Sequence, residues 1–188
     1  MTYELRPLTP DDAPTVLQLT AEDRTRSGIP DFIAHRMFNP DNKDSLKTQE
    51  SKLKNNSGLY MGVVAAGHGL VAVRKAGPWY TGDQKPFDTV FERARSLVRR
   101  PEDARPLGIF ALNVAEELGS RDKIRVGRML MDNLLPSQQR EQPEVRIGLH
   151  ESDPLKSLLE KEYGFKATGK HAKVQYVKEE LFIRPSMP

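Results

Sequence analysis

The chain has no cysteine. That excludes a disulfide framework, a thiolate nucleophile and a cysteine-based zinc site. It has one tryptophan, and aromatic residues make up only 7%; no strand face interleaves aromatic and basic residues as an RNA-binding sheet would. Charge of one sign is also scarce in excess: 29 Lys and Arg stand against 26 Asp and Glu, a net +3. The surplus is spread along the chain rather than clustered into a footprint, so no nucleic-acid partner is expected. Long hydrophobic runs are missing too. The most apolar stretch, residues 59–73, is interrupted by Gly67-His68-Gly69 and is too short to span a bilayer, so no membrane partner is expected. The opening Tyr3-Glu4-Leu5-Arg6-Pro7 lacks the apolar core of a secretory signal, which makes a cytoplasmic location the default expectation.

What is present is a chain of 188 residues, enough for one domain with a real core. Its 14 prolines fall mostly between periodic segments and punctuate them. Residues 3–8 read as a short strand. Thr9-Pro10-Asp11-Asp12 reads as a helix start, with Thr9 at the N-cap and Pro10 at the first helical position. Ala13, Val16, Leu17 and Thr20 then share a helical face, and Phe32, Ile33, Arg36 and Met37 form a second short helical pattern before Asn39-Pro40. Residues 41–57 are a lysine-rich loop or a solvated helix. Two apolar runs, 59–65 and 70–73, flank the Gly-His-Gly turn as a hairpin, and Gly77-Pro78 closes the second. A helical pattern with Phe87, Val90, Phe91, Ala94, Leu97 and Val98 on one face fills residues 86–101, inside an insertion at about 77–105.

Residues 107–114 (LGIFALNV) are nearly continuous apolar, as a central strand covered on both faces should be. A polar loop, 115–123, follows. Val126, Met129, Leu130, Asn133 and Leu134 mark a helix that Pro136 ends, and 145–149 is another strand. Asp153-Pro154 starts a helix with Leu155, Leu158, Leu159 and Tyr163 on one face and Gly164 as its left-handed stop. Two final strands run from Phe165 onward and over 174–183. This order mixes hairpins with crossovers, so the fold class is α/β (α+β): a mixed central sheet of about six or seven strands with helices on both faces.

Together with two local motifs, this order resembles the GNAT superfamily of acetyl-CoA-dependent N-acyltransferases over nearly the whole chain. The first motif is the strand 107–114, a loop, then Arg125-Val126-Gly127-Arg128-Met129-Leu130, where the family has Arg/Gln-x-x-Gly-x-Gly/Ala opening a helix. The second is Leu158-Leu159-Glu160-Lys161-Glu162-Tyr163-Gly164-Phe165, similar to the family's Leu-Tyr-Glu-Lys-Leu-Gly-Phe. A helix N-terminus with a glycine close by suits a pyrophosphate. The resemblance therefore implies acetyl-CoA as cosubstrate, bound by Arg125, Val126, Gly127 and Arg128, with Asp153 beside it; the plainer reading of Asp153 is a helix N-cap. It also implies that backbone N–H groups of Leu112, Asn113 and Val114 hold the pantetheine and polarise the thioester carbonyl. Two positions depart from the pattern: Arg125 stands at the family's first glycine and Asp122 at its Arg/Gln.

Amine acylation needs a neutral amine, hence a general base. The candidates are His150, at the end of a strand, and Glu116 and Glu117, directly after the central strand; each is otherwise an ordinary surface residue. The family's frequent tyrosine acid falls here on Glu160, and Tyr163 reads as core packing. Two function classes stay open: an N-acetyltransferase acting on a primary amine of a small molecule or a peptide, and a catalytically inactive CoA-binding or protein-interaction module of the same fold. Trp79-Tyr80 opens the insertion, as a pocket lining or as an exposed loop. A homodimer through the final strands is open to such a fold.

Overall fold

The computed structural model describes residues 1–79, 106–135, 144–174 and 177–186. The first strand, β1 (Tyr3–Pro7), leads into a 3-10 turn at Pro10–Asp12 and then α1 (Ala13–Arg26). The expected helix start is there, and it is reinforced. Asp12 Oδ2 accepts from the Thr9 N–H at 2.8 Å, and both Asp12 oxygens accept from Arg6 at 2.8 and 2.7 Å. Burial alone would raise the Asp12 carboxyl, but the bonds from Arg6 and Thr9 outweigh it and hold it below its ordinary range.

The second helix, α2 (Asp31–Met37), forms where expected but buries a different residue. Ala34 is inside, while Phe32 is 74% exposed. The lysine-rich stretch is a solvated helix, α3 (Lys43–Asn55). Asn42 caps it by accepting from the N–H groups of Asp44 and Ser45, and it buries only Gln49 and Leu53.

The hairpin is β2 (Tyr60–Ala65) and β3 (Gly69–Pro78), turned at Gly67 and Gly69, whose φ angles of 79° and 77° need glycine. β4 (Leu107–Val114) has the bounds read from the sequence. It is followed by α4 (Ser120–Leu134), β5 (Val145–Leu149), α5 (Lys156–Glu162), β6 (Lys166–Val174) and β7 (Val177–Arg184). The seven strands make one sheet in the order β1-β2-β3-β4-β5-β7-β6. β4 and β5 run parallel, while β1–β2, β2–β3, β5–β7 and β6–β7 are antiparallel, so the sheet is mixed as expected. Gly77 and Pro78 belong to β3, and the helical pattern at 86–101, with the rest of the insertion and Tyr80, lies outside the described residues.

Two compact units share these elements: Met1–Lys75 with Ala111–Ser137, and Ala76–Phe110 with Gln138–Pro188. In the first, Val63, Val71, Val73, Val114, Leu130 and Met131 are fully buried. Each such side chain contributes about 1.5–3 kcal/mol by leaving water. In the second, Phe165, Leu155, Leu159, Leu181 and Phe182 play that part, and Trp79 stacks on Phe110 with ring centroids 5.6 Å apart. Gly164, at φ 71°, ends α5 as expected, and the Phe165 N–H folds back to the Leu159 carbonyl at 3.1 Å. Among the described residues, no helix is long and apolar enough to cross a membrane.

Candidate functional site

In the first unit, the candidate residues gather at the end of β4. At the start of the strand, the Pro106 carbonyl accepts from Trp79 N–H, just past β3, and Leu107 N–H donates to the Glu144 carbonyl, each at 2.8 Å. The pairing with β5 runs through Leu107↔Val145 to Ile109↔Ile147. In a regular strand successive N–H groups point to alternate edges. Leu107 N–H faces β5, so within β4 Ile109 and every second residue after it should do the same. Ala115 N–H donates to the Val71 carbonyl of β3 at 2.8 Å. Ala115 lies one residue past the end of β4, where the strand's alternation no longer applies. Of the three residues expected to supply backbone donors at this end, Asn113 is 6% exposed and Val114 is fully buried. Leu112 is buried.

Helix α1 ties down this strand end. The buried Asn113 donates from Nδ2 to Thr20 Oγ1 at 3.1 Å, and Thr20 Oγ1 in turn donates to the Val16 carbonyl at 2.8 Å. Two residues along α1, Glu22 Oε2 accepts the Glu116 backbone N–H at 3.1 Å, and Glu22 Oε1 accepts from Gln18 Nε2 at 3.1 Å. Glu116 and Glu117 are exposed. Thr20 and Glu22 carried no recognisable signal in the sequence. Thr20 was read as part of the packed face of α1, and only the folded contact brings Glu22 to the strand end.

α4 starts earlier than its apolar periodicity suggests. Gly119, with φ −62° and ψ 157°, is the N-cap and makes no side-chain cap. The first helical bond runs from Lys123 N–H to the Gly119 carbonyl at 3.0 Å. The N–H groups of Ser120, Arg121 and Asp122 therefore precede the helical ladder and form the electropositive end. This corrects the expected placement: residues 120–123 are helix, not loop, and Arg125, Val126, Gly127 and Arg128 lie beyond the first turn. Val126 and Gly127 are buried in the helix flank. Arg125 holds the chain start, with its guanidinium 5.1 Å from the Tyr3 ring centroid and a 3.3 Å bond to the Met1 carbonyl. Burial and the nearby Asp122 carboxylate push the Tyr3 phenol up, against the pull of Arg125. The missed signal was Gly119-Ser120-x-Asp122, which has first-turn chemistry without apolar periodicity.

In the other unit, the chain leaves β5 through His150, which is 5% exposed, with Nδ1 3.0 Å from Ser152 Oγ. Asp153 N–H donates to the His150 carbonyl at 3.2 Å. Asp153 Oδ1 accepts the Leu155 N–H at 2.8 Å, an Asx turn just ahead of α5, whose N-cap Leu155 has no side-chain cap bond. One turn thus brings His150, Ser152 and Asp153 together. At the far end of α5, Glu160 is exposed, and half-buried Tyr163 offers its carbonyl to Arg184 Nε at 2.9 Å.

No protein-family model matches the sequence, and no curated protein matches it. Solved structures do match in fold. A GNAT-family acetyltransferase from Streptococcus agalactiae superposes with a TM-score of 0.60 at 10% identity, over 97% of this chain and 95% of its own. The PaiA N-acetyltransferase of Thermoplasma acidophilum, in complex with coenzyme A, gives 0.57 at 13% identity over 98% and 99%. A phosphinothricin acetyltransferase from Sinorhizobium meliloti, in complex with AcCoA, gives 0.57 at 12% identity over 100% and 90%.

Proposed function

We propose, on the premise that this chain has the fold of the GNAT acetyltransferases, that it transfers an acetyl group from acetyl-CoA to a primary amine of a small molecule or peptide. The observation that carries the reading is local. The end of β4, with the backbone N–H groups of Leu112, Asn113 and Val114, is followed, a few residues on, by a helix whose first N–H groups have no capping side chain. The first feature suits a thioester carbonyl and the oxyanion that forms on it. The second suits a pyrophosphate. We place that pyrophosphate against the N–H groups of Ser120 and Arg121 rather than at Gly127, which lies inside α4.

In the reaction the amine nitrogen forms a bond to the acetyl carbon, the carbon–sulfur bond breaks, and the thiolate leaves and takes a proton. Deprotonating a lysine-like ammonium at pH 7 costs about 4–5 kcal/mol, within reach of a single general base. We assign that base to His150, with Glu116 and Glu117 as the alternatives. His150→Gln is expected to lower kcat about 100-fold while leaving acetyl-CoA affinity intact. An equal loss in Glu116→Gln or Glu117→Gln, with His150→Gln active, moves the role to that glutamate.

The reading is tested by isothermal titration with acetyl-CoA, CoA and dephospho-CoA. Micromolar binding supports it, and weaker binding of dephospho-CoA assigns basic side chains to the 3′-phosphate. No binding at millimolar acetyl-CoA overturns it. A second reading, a CoA-binding module without catalysis, is favoured by one observation: the α5 position of the family's tyrosine acid holds the exposed Glu160. Binding without turnover across an amine library selects that reading.

A further inference from the structure

We infer that Glu22 is a positioning residue for acyl transfer: through the Glu116 peptide it fixes the end of β4 and with it the backbone donors of Leu112, Asn113 and Val114 that the acetyl-CoA reading uses. The inference rests on the acetyl-CoA reading above. Glu22 sits in the last half of α1, half-buried. Both of its carboxylate oxygens are engaged, Oε1 by Gln18 Nε2 and Oε2 by the Glu116 N–H, each at 3.1 Å. The Gln18 contact, one helical turn back, sets the orientation of the carboxylate. The Glu116 contact ties the peptide immediately after Ala115, whose own N–H is fixed to Val71 of β3 at 2.8 Å. With Asn113 held to Thr20 at 3.1 Å, the strand end is fastened on both sides of Val114.

This fastening matters because the register of β4 with β5 runs from Leu107↔Val145 to Ile109↔Ile147, upstream of the strand end. Beyond that register, pairing with β5 does not by itself fix the direction of an N–H on that edge. An oxyanion donor contributes only when it is aimed before the charge develops. A charge-assisted bond from a helix is a stiffer constraint on such a peptide than water would be. Glu22 touches no reacting atom in this scheme, so its charge is dispensable and its acceptor oxygen is not.

Three variants separate these roles. Glu22→Ala removes the acceptor from the surface of α1 and leaves a strong helix former. Glu22→Gln keeps a carbonyl oxygen for the Glu116 N–H and discards the charge. Gln18→Ala removes only the orienting contact. Amide hydrogen exchange over residues 114–118, acetyl-CoA affinity by titration, and kcat on an accepted amine are read on each folded variant. Expected is about a 10-fold rise in Glu116 exchange and about a 10-fold fall in kcat for Glu22→Ala, with a smaller change in affinity. Glu22→Gln should lie within about 3-fold of the parent protein, and Gln18→Ala between the two. Unchanged kcat in Glu22→Ala overturns the inference, and so does a Glu22→Gln loss as large as that of Glu22→Ala, which would make the charge itself the working group. Should the parent protein fail to bind acetyl-CoA, the acetyl-transfer reading falls and takes the inference with it; failure of the inference alone shows as normal binding and turnover in Glu22→Ala.

Discussion

Arg74 is a cation placed where water is scarce. It is 4% exposed on β3, and its guanidinium donates to the Leu130 carbonyl and to Asn133 Oδ1 of α4. Burial pushes it down to about 10. Its value to the fold lies in satisfying a helix carbonyl and filling volume, both of which can be tested apart from its charge. Arg74→Ala leaves a cavity and an unmet acceptor and should cost about 3 kcal/mol in urea denaturation. Arg74→Met fills most of the same space without a buried charge and should cost less than half of that. Equal losses would show that the guanidinium bonds, not packing, hold β3 to α4. Asp12 behaves in the opposite sense. Its folded-state carboxyl is held below the ordinary range, so its contribution is present above about pH 4 and is lost as pH falls through its lower folded value. Asp12→Asn should therefore lower Tm at pH 7 and converge on the parent protein near pH 2. A constant gap across that range would assign the loss to shape rather than charge.

At the scale of elements, the legible parts were those where one local signal suffices. A continuous apolar run gave β4 its bounds, glycines at positive φ marked the β2–β3 turn and the end of α5, and Thr9-Pro10 opened the first helical segment. What failed depended on partners distant in sequence. Apolar periodicity begins α4 only where the helix meets the interior, at Val126, so its solvated first turn was read as loop. The same blindness gave α2 an apolar face that the fold leaves outside, because a short helix can dock through one small residue, Ala34. The reach of Glu22 has no local signature either. The corrected start of α4 carries its own prediction. Proline suits the first helical position, which has no intrahelical donor to lose, and Gly119 is already extended, as a residue before proline should be. Ser120→Pro should therefore leave Tm within about 2 °C yet weaken acetyl-CoA binding about 10-fold by deleting one phosphate-facing N–H. Undiminished binding would move the pyrophosphate away from this turn.

At the scale of the molecule, the question is whether the two compact units unfold as one. Strand β3 passes from the first unit to the second at Lys75–Ala76, and β4 passes back at Phe110–Ala111. Each unit therefore has part of its sheet on a strand whose remainder belongs to the other. Melting one unit alone would end β3 and β4 midway and leave backbone groups at the cut ends without the ladder bonds of a continuous strand. Unmade bonds of that kind are costly, so calorimetry should show a single transition with equal calorimetric and van't Hoff enthalpies. A ligand that binds only the folded chain adds RT ln(1 + [L]/Kd), about 2.7 kcal/mol at a hundredfold excess over Kd. For a chain of 188 residues that is an upward shift of about 5–10 °C. Acetyl-CoA should thus raise the one transition as a whole. If the chain instead melts in two steps and acetyl-CoA moves only the step containing α4, the cofactor contacts are confined to that unit, and His150 and Asp153 have no part in holding it.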